Sequence, residues 1–258
     1  MSNTILRATG IRKTFAAPGA RGPKDASVEV LKGIDLEVSR GEFLAIMGAS
    51  GSGKSTVLYS ISGMDRPTEG RVEFEGRELT SLKDSEVGRL RLTSMGFVFQ
   101  QPFFLENLSV YDNVLLPAAK SGLFEGGEAE ARVSGLLERF GIAHVGLNEV
   151  SRVSGGQLQR AAICRAIVNG PSVVFADEPT GALNSRMTTE VLDVLGEIHA
   201  EGTTIVMVTH DPSVAARADR IVYLRDGVVV DELSSHAEEA SGSTRKERVL
   251  SWLQENGF

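Results

Sequence analysis

The chain has 258 residues, of which 41% are hydrophobic and 24% are charged, so it is long enough for one large domain with a sizeable core. Its net charge of -7 argues against binding to the phosphate backbone of nucleic acid, which requires clustered Lys and Arg. The single cysteine, Cys164, excludes an internal disulfide framework, and its apolar neighbours predict a small core residue. Without an apolar run of membrane-spanning length or a signal peptide, the chain is predicted to be cytoplasmic.

Hydrophobic patterning predicts strands in the first fifty residues. Ile34, Leu36 and Val38 alternate with polar residues, which is the period of a half-buried strand. Residues 16–27 are rich in Gly and Pro and predict a loop. Phe43–Met47 is continuously apolar, as is typical of a central strand covered on both faces, and it leads directly into a glycine-rich loop.

The next segments predict a helix, a strand pair and a helical region. Residues 56–61 predict a helix that stops before Gly63. Residues 72–74 and 77–79 predict two strands on either side of a short turn. Residues 102–169 then change in character toward helices. Apolar residues recur there at helical spacing and form one face, namely Val133, Leu136, Leu137 and Phe140. Gly141 follows as a C-terminal stop.

Two later apolar runs, residues 173–176 and 204–208, predict buried strands rich in β-branched side chains. An Asp-Gly pair at residues 226–227 predicts a hairpin between two further strands. Strands and helices thus alternate along the chain. This order predicts an α/β fold with a mostly parallel core sheet, an antiparallel β part and a helical insertion.

The C-terminal segment predicts a short helix. Thr244 and Glu247 have the spacing of a capping box, and Val249, Trp252 and Leu253 can share one apolar face. Such a face either docks onto the rest of the chain or binds a partner, and docking is the favoured interpretation.

A phosphate-binding loop is the strongest motif in the sequence. Residues 48–55 fit the pattern G-x-x-x-x-G-K-[ST], in which backbone amides and the following helix N-terminus surround the phosphates. Lys54 provides a positive charge for the outer phosphates, and the Ser55 hydroxyl is placed to bind Mg²⁺. A chance match is the alternative, but the flanking strand and helix argue against it. The predicted contacts are Gly48, Ala49, Ser50, Gly51, Ser52, Gly53, Lys54, Ser55 and Thr56.

Two adjacent carboxylates follow the apolar strand at residues 173–176. Ligands of open α/β sheets bind at the carboxyl ends of the strands, so Asp177 and Glu178 are candidates for catalysis. Asp177 is predicted to hold Mg²⁺, mainly through water, and Glu178 to polarise the attacking water in phosphoryl transfer. Seen alone, two such acids are more often part of a solvated loop. The phosphate loop upstream favours the catalytic interpretation.

A second anion-binding segment is predicted at the start of a helix, at Ser154, Gly155, Gly156 and Gln157. One triphosphate has no evident use for two such sites in one molecule. Two copies in head-to-tail arrangement do, because each segment can close over the phosphate held by the other copy. The alternative is a simple helix cap, which is expected to account for Ser154 but not for the residues after it.

Together these segments resemble the Walker A, signature and Walker B motifs of ATP-binding-cassette (ABC) proteins. The resemblance covers about residues 4–231 in the family's order and spacing. It implies a P-loop NTPase fold, hydrolysis of ATP with Mg²⁺, and a dimer of two copies around two Mg-ATP. It also implies integral membrane permease partners, so that the chain lies on the inner face of the plasma membrane. Nucleic acid is not an expected partner.

Three further residues match positions with known roles in that family. Gln100 resembles the Q-loop glutamine, which contacts Mg²⁺ and the attacking water and senses the membrane partner. His210 resembles the switch histidine that contacts the γ-phosphate. Phe15 lies where the family places an aromatic ring on adenine, although a core phenylalanine is the alternative there.

A finer resemblance connects residues 178–185 with cassettes of mechanotransmission-type permeases, which handle antimicrobial peptides, lipoproteins or drugs. Most cassettes have aspartate at the D-loop position of Asn184. The asparagine found here resembles that of the peptide-resistance branch. Val153 and Leu158 also depart modestly from the usual signature. The expected function is therefore that of an exporter subunit. The alternative is a cell-division or regulatory ATPase that signals through a membrane partner without transport.

The resemblance predicts a nucleotide-binding domain at residues 1–231, with a helical subdomain at about 102–169, and a C-terminal tail at residues 232–258. Phe103, Phe104 and Leu105 follow Gln100 in a predicted loop. They are hypothesised to line the groove that receives a permease helix. Packing inside the helical insertion is an equal alternative.

Overall fold

The computed structural model describes residues 3–16, 27–235 and 244–257. The strands are β1 (Thr4–Ala16), β2 (Ser27–Ser39), β3 (Phe43–Met47), β4 (Glu69–Phe74), β5 (Arg77–Glu78), β6 (Met95–Phe99), β7 (Val173–Asp177), β8 (Thr204–Val208), β9 (Arg220–Arg225) and β10 (Val228–Ser234). The helices are α1 (Lys54–Ile61), α2 (Asp84–Ser94), α3 (Val110–Ser121), α4 (Glu128–Arg139), α5 (Gly155–Ile167), α6 (Ser185–Ala200), α7 (Pro212–Ala215) and α8 (Arg245–Glu255). The chain divides into two compact units.

The first unit comprises Met1–Lys83 and Met207–Phe258 and contains two sheets. The antiparallel sheet has the order β2-β1-β4-β5, and Leu6 in its second strand lies opposite both Val38 and Phe74. In the other sheet β3 pairs in parallel with β9, which pairs antiparallel with β10. All five residues of β3 are buried, as its unbroken apolar sequence predicts.

The hairpin and the early helix of this unit were predicted correctly, with small shifts at the ends. Asp226 and Gly227 have φ angles of 52° and 81°, as a two-residue hairpin turn requires. The predicted helix begins at Lys54 rather than two residues later. The strand predicted at residues 77–79 stops at Glu78, because Leu79 begins a 3₁₀ turn. The predicted loop at residues 16–27 falls mainly on residues 17–26, which lie outside the described residues.

The C-terminal helix is docked, as predicted. Thr244 and Glu247 form the capping box at the start of α8, and its apolar residues are buried. The indole Nε1 of Trp252 donates a hydrogen bond of 2.6 Å to Asp231 Oδ2, and its ring meets Tyr223 edge-on at 6.0 Å. Hydrogen bonds from Asn256, together with those from Trp252 and a backbone amide, lower the pKa of Asp231.

The second unit comprises Asp84–Val206 and combines parallel strands with helices. Strands β6 and β7 pair in parallel, with Phe99 opposite Asp177. The apolar face predicted in α4 is buried, and Gly141 follows its end with a φ of 66°. Cys164 is buried on α5, and desolvation raises the pKa of its thiol to about 12, so it is the core residue that the sequence predicts.

Strand β8 crosses from the second unit into the first. Its beginning is held in the second unit by the hydrogen bond from Thr204 N to Ser172 O, at 3.2 Å. Its end is held in the first unit by the bond from Thr209 N to Ile46 O, also at 3.2 Å.

Throughout the part of the chain that the structure describes, every helix is too short or too polar to cross a bilayer.

Candidate functional site

The phosphate loop, residues 48–56, connects β3 to α1 in the first unit. A side chain at Gly48 would place its Cβ 2.2 Å from Leu224 O, so the backbone approaches too closely for any residue but glycine. Gly51 and Gly53 have φ angles of 79° and 101°, in the left-handed region that glycine adopts without strain. The glycine spacing therefore follows from the curvature of the loop. Its N–H groups and the N-terminus of α1 form a concave site of the kind that binds phosphate.

Two polar side chains inside the loop fit an anionic ligand. Lys54 is 7% exposed, and its Nζ donates to the carbonyl oxygens of Gly48 and Ala49 at 2.9 and 2.8 Å. The Oγ atom of Ser52 is buried and has no hydrogen-bond partner among the described residues. A buried hydroxyl without a partner is costly, which is consistent with a ligand that supplies one.

His210 and Phe15 also belong to the first unit. His210 is exposed and directly follows Thr209, which is buried and bonded to Ile46 of β3. Phe15 is 42% exposed near the end of β1, and Lys13 Nζ lies 5.0 Å from its ring centroid. The alternative of a core phenylalanine is therefore wrong. An exposed ring beside a cation is available for stacking, and the adenine contact itself stays a prediction.

Gln100 and Glu178 come together in the second unit. They directly follow β6 and β7, whose last residues pair in register. Glu178 adopts a left-handed φ of 45°, which is unusual for a residue other than glycine and is typical of functional sites. A Cβ atom at Gly181 would lie 2.8 Å from Gln100 Nε2 and 3.3 Å from Glu178 Oε2. The amide and the carboxylate thus converge on Gly181.

The segment Ser154–Gln157 begins α5 in the second unit. The backbone N–H and the hydroxyl of Ser154 both donate to Gln157 Oε1, at 3.1 and 2.9 Å. A Cβ at Gly156 would lie 2.9 Å from Met187 Cγ. The expectation that a helix cap explains only Ser154 is therefore wrong: Gln157 completes the cap, and packing against Met187 explains Gly156.

Comparison with known proteins identifies the family. The sequence profile of ABC transporters matches residues 31–181, more than half of the chain. The chain belongs to the ABC transporter family. The predicted α/β P-loop fold and the predicted ATPase class are confirmed by this membership and by the solved cassette structures that the chain matches.

Curated relatives and solved structures agree. The macrolide export ATP-binding/permease protein MacB 1 of Aeromonas hydrophila is 46% identical over 89% of this chain and 34% of the relative. The pyoverdine export ATP-binding/permease protein PvdT of Pseudomonas aeruginosa is 40% identical over 95% of this chain and 36% of the relative. The chain thus spans about a third of these relatives' length. The ATP-binding cassette MJ0796, solved as a dimer in a post-hydrolysis state bound to ADP and Pi, matches with a TM-score of 0.82 and 35% identity, over 90% of this chain and 100% of that chain.

Asn184 has a local structural role in this ABC cassette. It is the N-cap of α6, and its Oδ1 accepts a hydrogen bond of 3.0 Å from Met187 N. Asparagine and aspartate are about equally good at this position of a helix, so the substitution for the family's aspartate preserves the cap. Its predicted place in the D-loop stays a prediction.

Two residues of the cassette without a predicted function contact or adjoin residues that have one. Gly181 lies against Gln100 and Glu178, as described above. Gln159 is buried on α5, and its Nε2 donates a hydrogen bond of 2.9 Å to Phe99 O, directly before Gln100. The helix that begins with the predicted signature segment is thereby bonded to the residue directly before the predicted Q-loop glutamine. The position of Gly181, three residues after Glu178, the residue predicted to polarise water, was the available sequence signal.

Substituting Gly181 with alanine should impair hydrolysis more than binding. The new Cβ would meet Gln100 Nε2 at 2.8 Å, so the glutamine or the turn must shift by several tenths of an ångström. We expect the turnover rate to fall about tenfold to a hundredfold, because small displacements of positioning groups have effects of that size. Steady-state phosphate release and fluorescent-ATP titration separate the two quantities. Gly196→Ala is the control, since a Cβ there meets open space; equal turnover in both variants contradicts the role of Gly181.

Proposed function

We propose that the chain is the ATP-hydrolysing subunit of an ABC exporter, in which two copies enclose two Mg-ATP and drive a membrane permease. Family membership and the likeness to a dimeric cassette bound to ADP and Pi support this proposal. The observation that carries it is the convergence of Gln100 and Glu178 on Gly181, because a water-activating pair is what a hydrolase requires beyond a binding loop.

ATP is proposed to bind with its phosphates in the phosphate loop and its adenine on Phe15. The amides of the loop would donate to the β- and γ-phosphate oxygens, and Lys54 would exchange its carbonyl partners for phosphate. Ser52 Oγ would gain the hydrogen-bond partner that the described residues do not supply.

Mg²⁺ is proposed to bind near Ser55, Gln100 and Asp177. Among the described residues, no cluster of three or more His, Cys, Asp or Glu side chains could hold a metal ion. A hydroxyl, an amide and a single carboxylate fit Mg²⁺, which keeps several waters and is bound mainly by substrate phosphates. When bound, the ion neutralises charge that develops on the phosphate oxygens.

Hydrolysis is proposed to depend on three side chains. Glu178 accepts a hydrogen bond from the attacking water and polarises it toward the γ-phosphorus. Gln100, which faces the same glycine as Glu178, orients that water. His210 donates to the γ-phosphate and stabilises the charge of the transition state.

The second copy is proposed to contribute Ser154, Gly155, Gly156 and Gln157. These residues begin a 13-residue helix, whose N-terminal amides and positive dipole end favour an anion. The phosphate loop of one copy and the signature segment of the other contact the same nucleotide. ATP binding therefore favours the closed dimer. Loss of the γ-phosphate removes contacts that only the closed state makes, so hydrolysis opens it.

The membrane partner is proposed to be a permease, so that the chain lies at the cytoplasmic face of the plasma membrane. The relatives' names combine ATP-binding and permease functions with export of macrolides or pyoverdine. We propose an exported cargo of drug, siderophore or peptide type for this system.

The purified chain should release phosphate from ATP only when Mg²⁺ is present. Chelation by EDTA should reduce the rate to background, because the γ-phosphate charge is then unshielded. A colourimetric phosphate assay, with excess Mg²⁺ added back as the control, measures this. Absence of hydrolysis by the chain alone and with its permease would contradict the proposal, and so would a rate that EDTA leaves unchanged.

A further inference from the structure

Lys13 is a nearly buried lysine close to the end of β1 in the first unit, with 9% of its surface exposed. Lysine is seldom found in such a position, because its charge loses water and its long side chain loses freedom. Its Nζ donates hydrogen bonds of 2.6 Å to Asp65 Oδ1 and to Arg66 O, in the connection between α1 and β4. These two acceptors fix the ammonium in place.

The ammonium of Lys13 also lies over the ring of Phe15, 5.0 Å from its centroid. The two residues are two positions apart on β1, so their side chains project from the same face of the sheet. A cation at this distance is attracted by the negative face of an aromatic ring. The chain itself thus occupies one face of a ring that is still 42% exposed. A flat ligand that stacks on Phe15 would therefore take the opposite face.

The same face of the sheet meets the phosphate loop. Leu31 lies directly opposite Lys13 on β2, and residues in this arrangement project to the same side. A Cβ at Gly53 of the loop would lie 3.0 Å from Leu31 Cδ2, so the sheet and the loop are in close contact. The two acceptors of Lys13 follow α1, the helix that begins in the loop. Lys13 thus connects the Phe15 ring to the helix whose N-terminus forms the phosphate site.

We propose that Lys13 is a positioning residue for adenine, which holds the Phe15 ring at a set distance from the phosphate loop with one face open. The inference rests on the proposed stacking of adenine on Phe15 and adds a second residue to that half of the site. A ring that Lys13 has already ordered loses less freedom when a nucleotide binds, so the affinity for ATP rises. The effect is confined to ligands with a base, because the phosphate contacts do not involve the ring.

The test compares the binding of Mg-ATP and of Mg-tripolyphosphate to the purified chain by isothermal titration calorimetry. Lys13→Met keeps the aliphatic part of the side chain and removes the ammonium. We expect the dissociation constant for ATP to rise about threefold to tenfold, the size expected for loss of a cation–π contact. The constant for tripolyphosphate, which has no base, should stay unchanged. Equal losses for the two ligands, or no loss for ATP, would overturn the inference.

Two further variants accompany this measurement. Lys32→Met makes the same substitution at an exposed lysine of β2 and should change neither constant. Lys13→Gln removes the charge but retains N–H donors for Asp65 and Arg66, so it makes the same test if the methionine variant does not fold. It should show the same selective loss of ATP affinity, and wild-type affinity in this variant would contradict the role of the ammonium.

A substitution of the ring itself shows whether Lys13 acts through it. Phe15→Ala should weaken ATP binding, and adding Lys13→Met should cause no further loss, because the contact between the two residues is already gone. A further loss of the same size as in the wild-type background would overturn the inference. If Phe15→Ala left ATP binding unchanged, the proposed adenine contact would fail together with it. Weaker binding by Phe15→Ala but wild-type binding by Lys13→Met would exclude the role of Lys13 alone.

Discussion

Glu178→Gln should reduce ATP turnover about a thousandfold while ATP still binds, since general-base catalysis contributes effects of that order. The amide is nearly isosteric with the carboxylate, so the turn at Gly181 and the neighbouring Gln100 keep their places. What is lost is the carboxylate that is proposed to polarise the attacking water. We therefore expect the ATP-bound dimer, which the wild-type protein is proposed to open by hydrolysis, to accumulate. Single-turnover phosphate release and size-exclusion chromatography with Mg-ATP measure the two effects.

Glu138→Gln is the matched control for that substitution, because Glu138 lies on the exposed side of α4 and the change of charge is the same. The control should hydrolyse ATP at the wild-type rate and should form no more stable dimer. A Glu178→Gln protein that turns over normally would show that another group activates the water.

Lys54→Ala should weaken ATP binding about tenfold to a hundredfold, the range expected for loss of a charge-assisted hydrogen bond to phosphate. The side chain is buried inside the phosphate loop and is held there by two carbonyl oxygens. Its removal leaves the glycines and the helix N-terminus in place, so residual binding should persist. Titration with a fluorescent ATP analogue measures the dissociation constant.

Lys32→Ala serves as its control, since Lys32 is an exposed lysine of the same unit, on β2. Its affinity for ATP should match the wild type. If Lys54→Ala bound ATP as tightly as Lys32→Ala, the loop at residues 48–56 would not be the phosphate site.

The strands that the sequence predicts best are those with unambiguous burial. Phe43–Met47 and Thr204–Val208 are wholly buried, and their apolar runs end where the strands end. Helix α2 was missed because only Val87 is buried along it, so it has no apolar periodicity. The start of α1 was placed two residues late because Gly53, rather than a residue with a capping side chain, precedes it.

One part of the candidate site can be predicted from the local sequence, and the other part depends on tertiary contacts. The phosphate loop and the acidic pair are contiguous in sequence, and their chemistry can be derived from residue type and spacing. The roles of Gly181 and Gln159 arise from contacts with residues about sixty to about eighty positions away. No local pattern encodes such contacts. The capping role of Gln157 was local, but it was not anticipated because the family motif already explained that residue.

The most direct test of the central claim, that each ATP is held by two copies, is a mixture of two inactive variants. Lys54→Ala disables the phosphate loop, and Ser154→Arg blocks the signature segment, so each variant alone should lack turnover. In a mixed dimer, the intact loop of one protomer faces the intact signature segment of the other. Random pairing in equal amounts should restore about a quarter of wild-type phosphate release, since half of the two-fold dimers are mixed and each has one intact site. No recovery on mixing, or full activity of Ser154→Arg alone, would contradict the composite site.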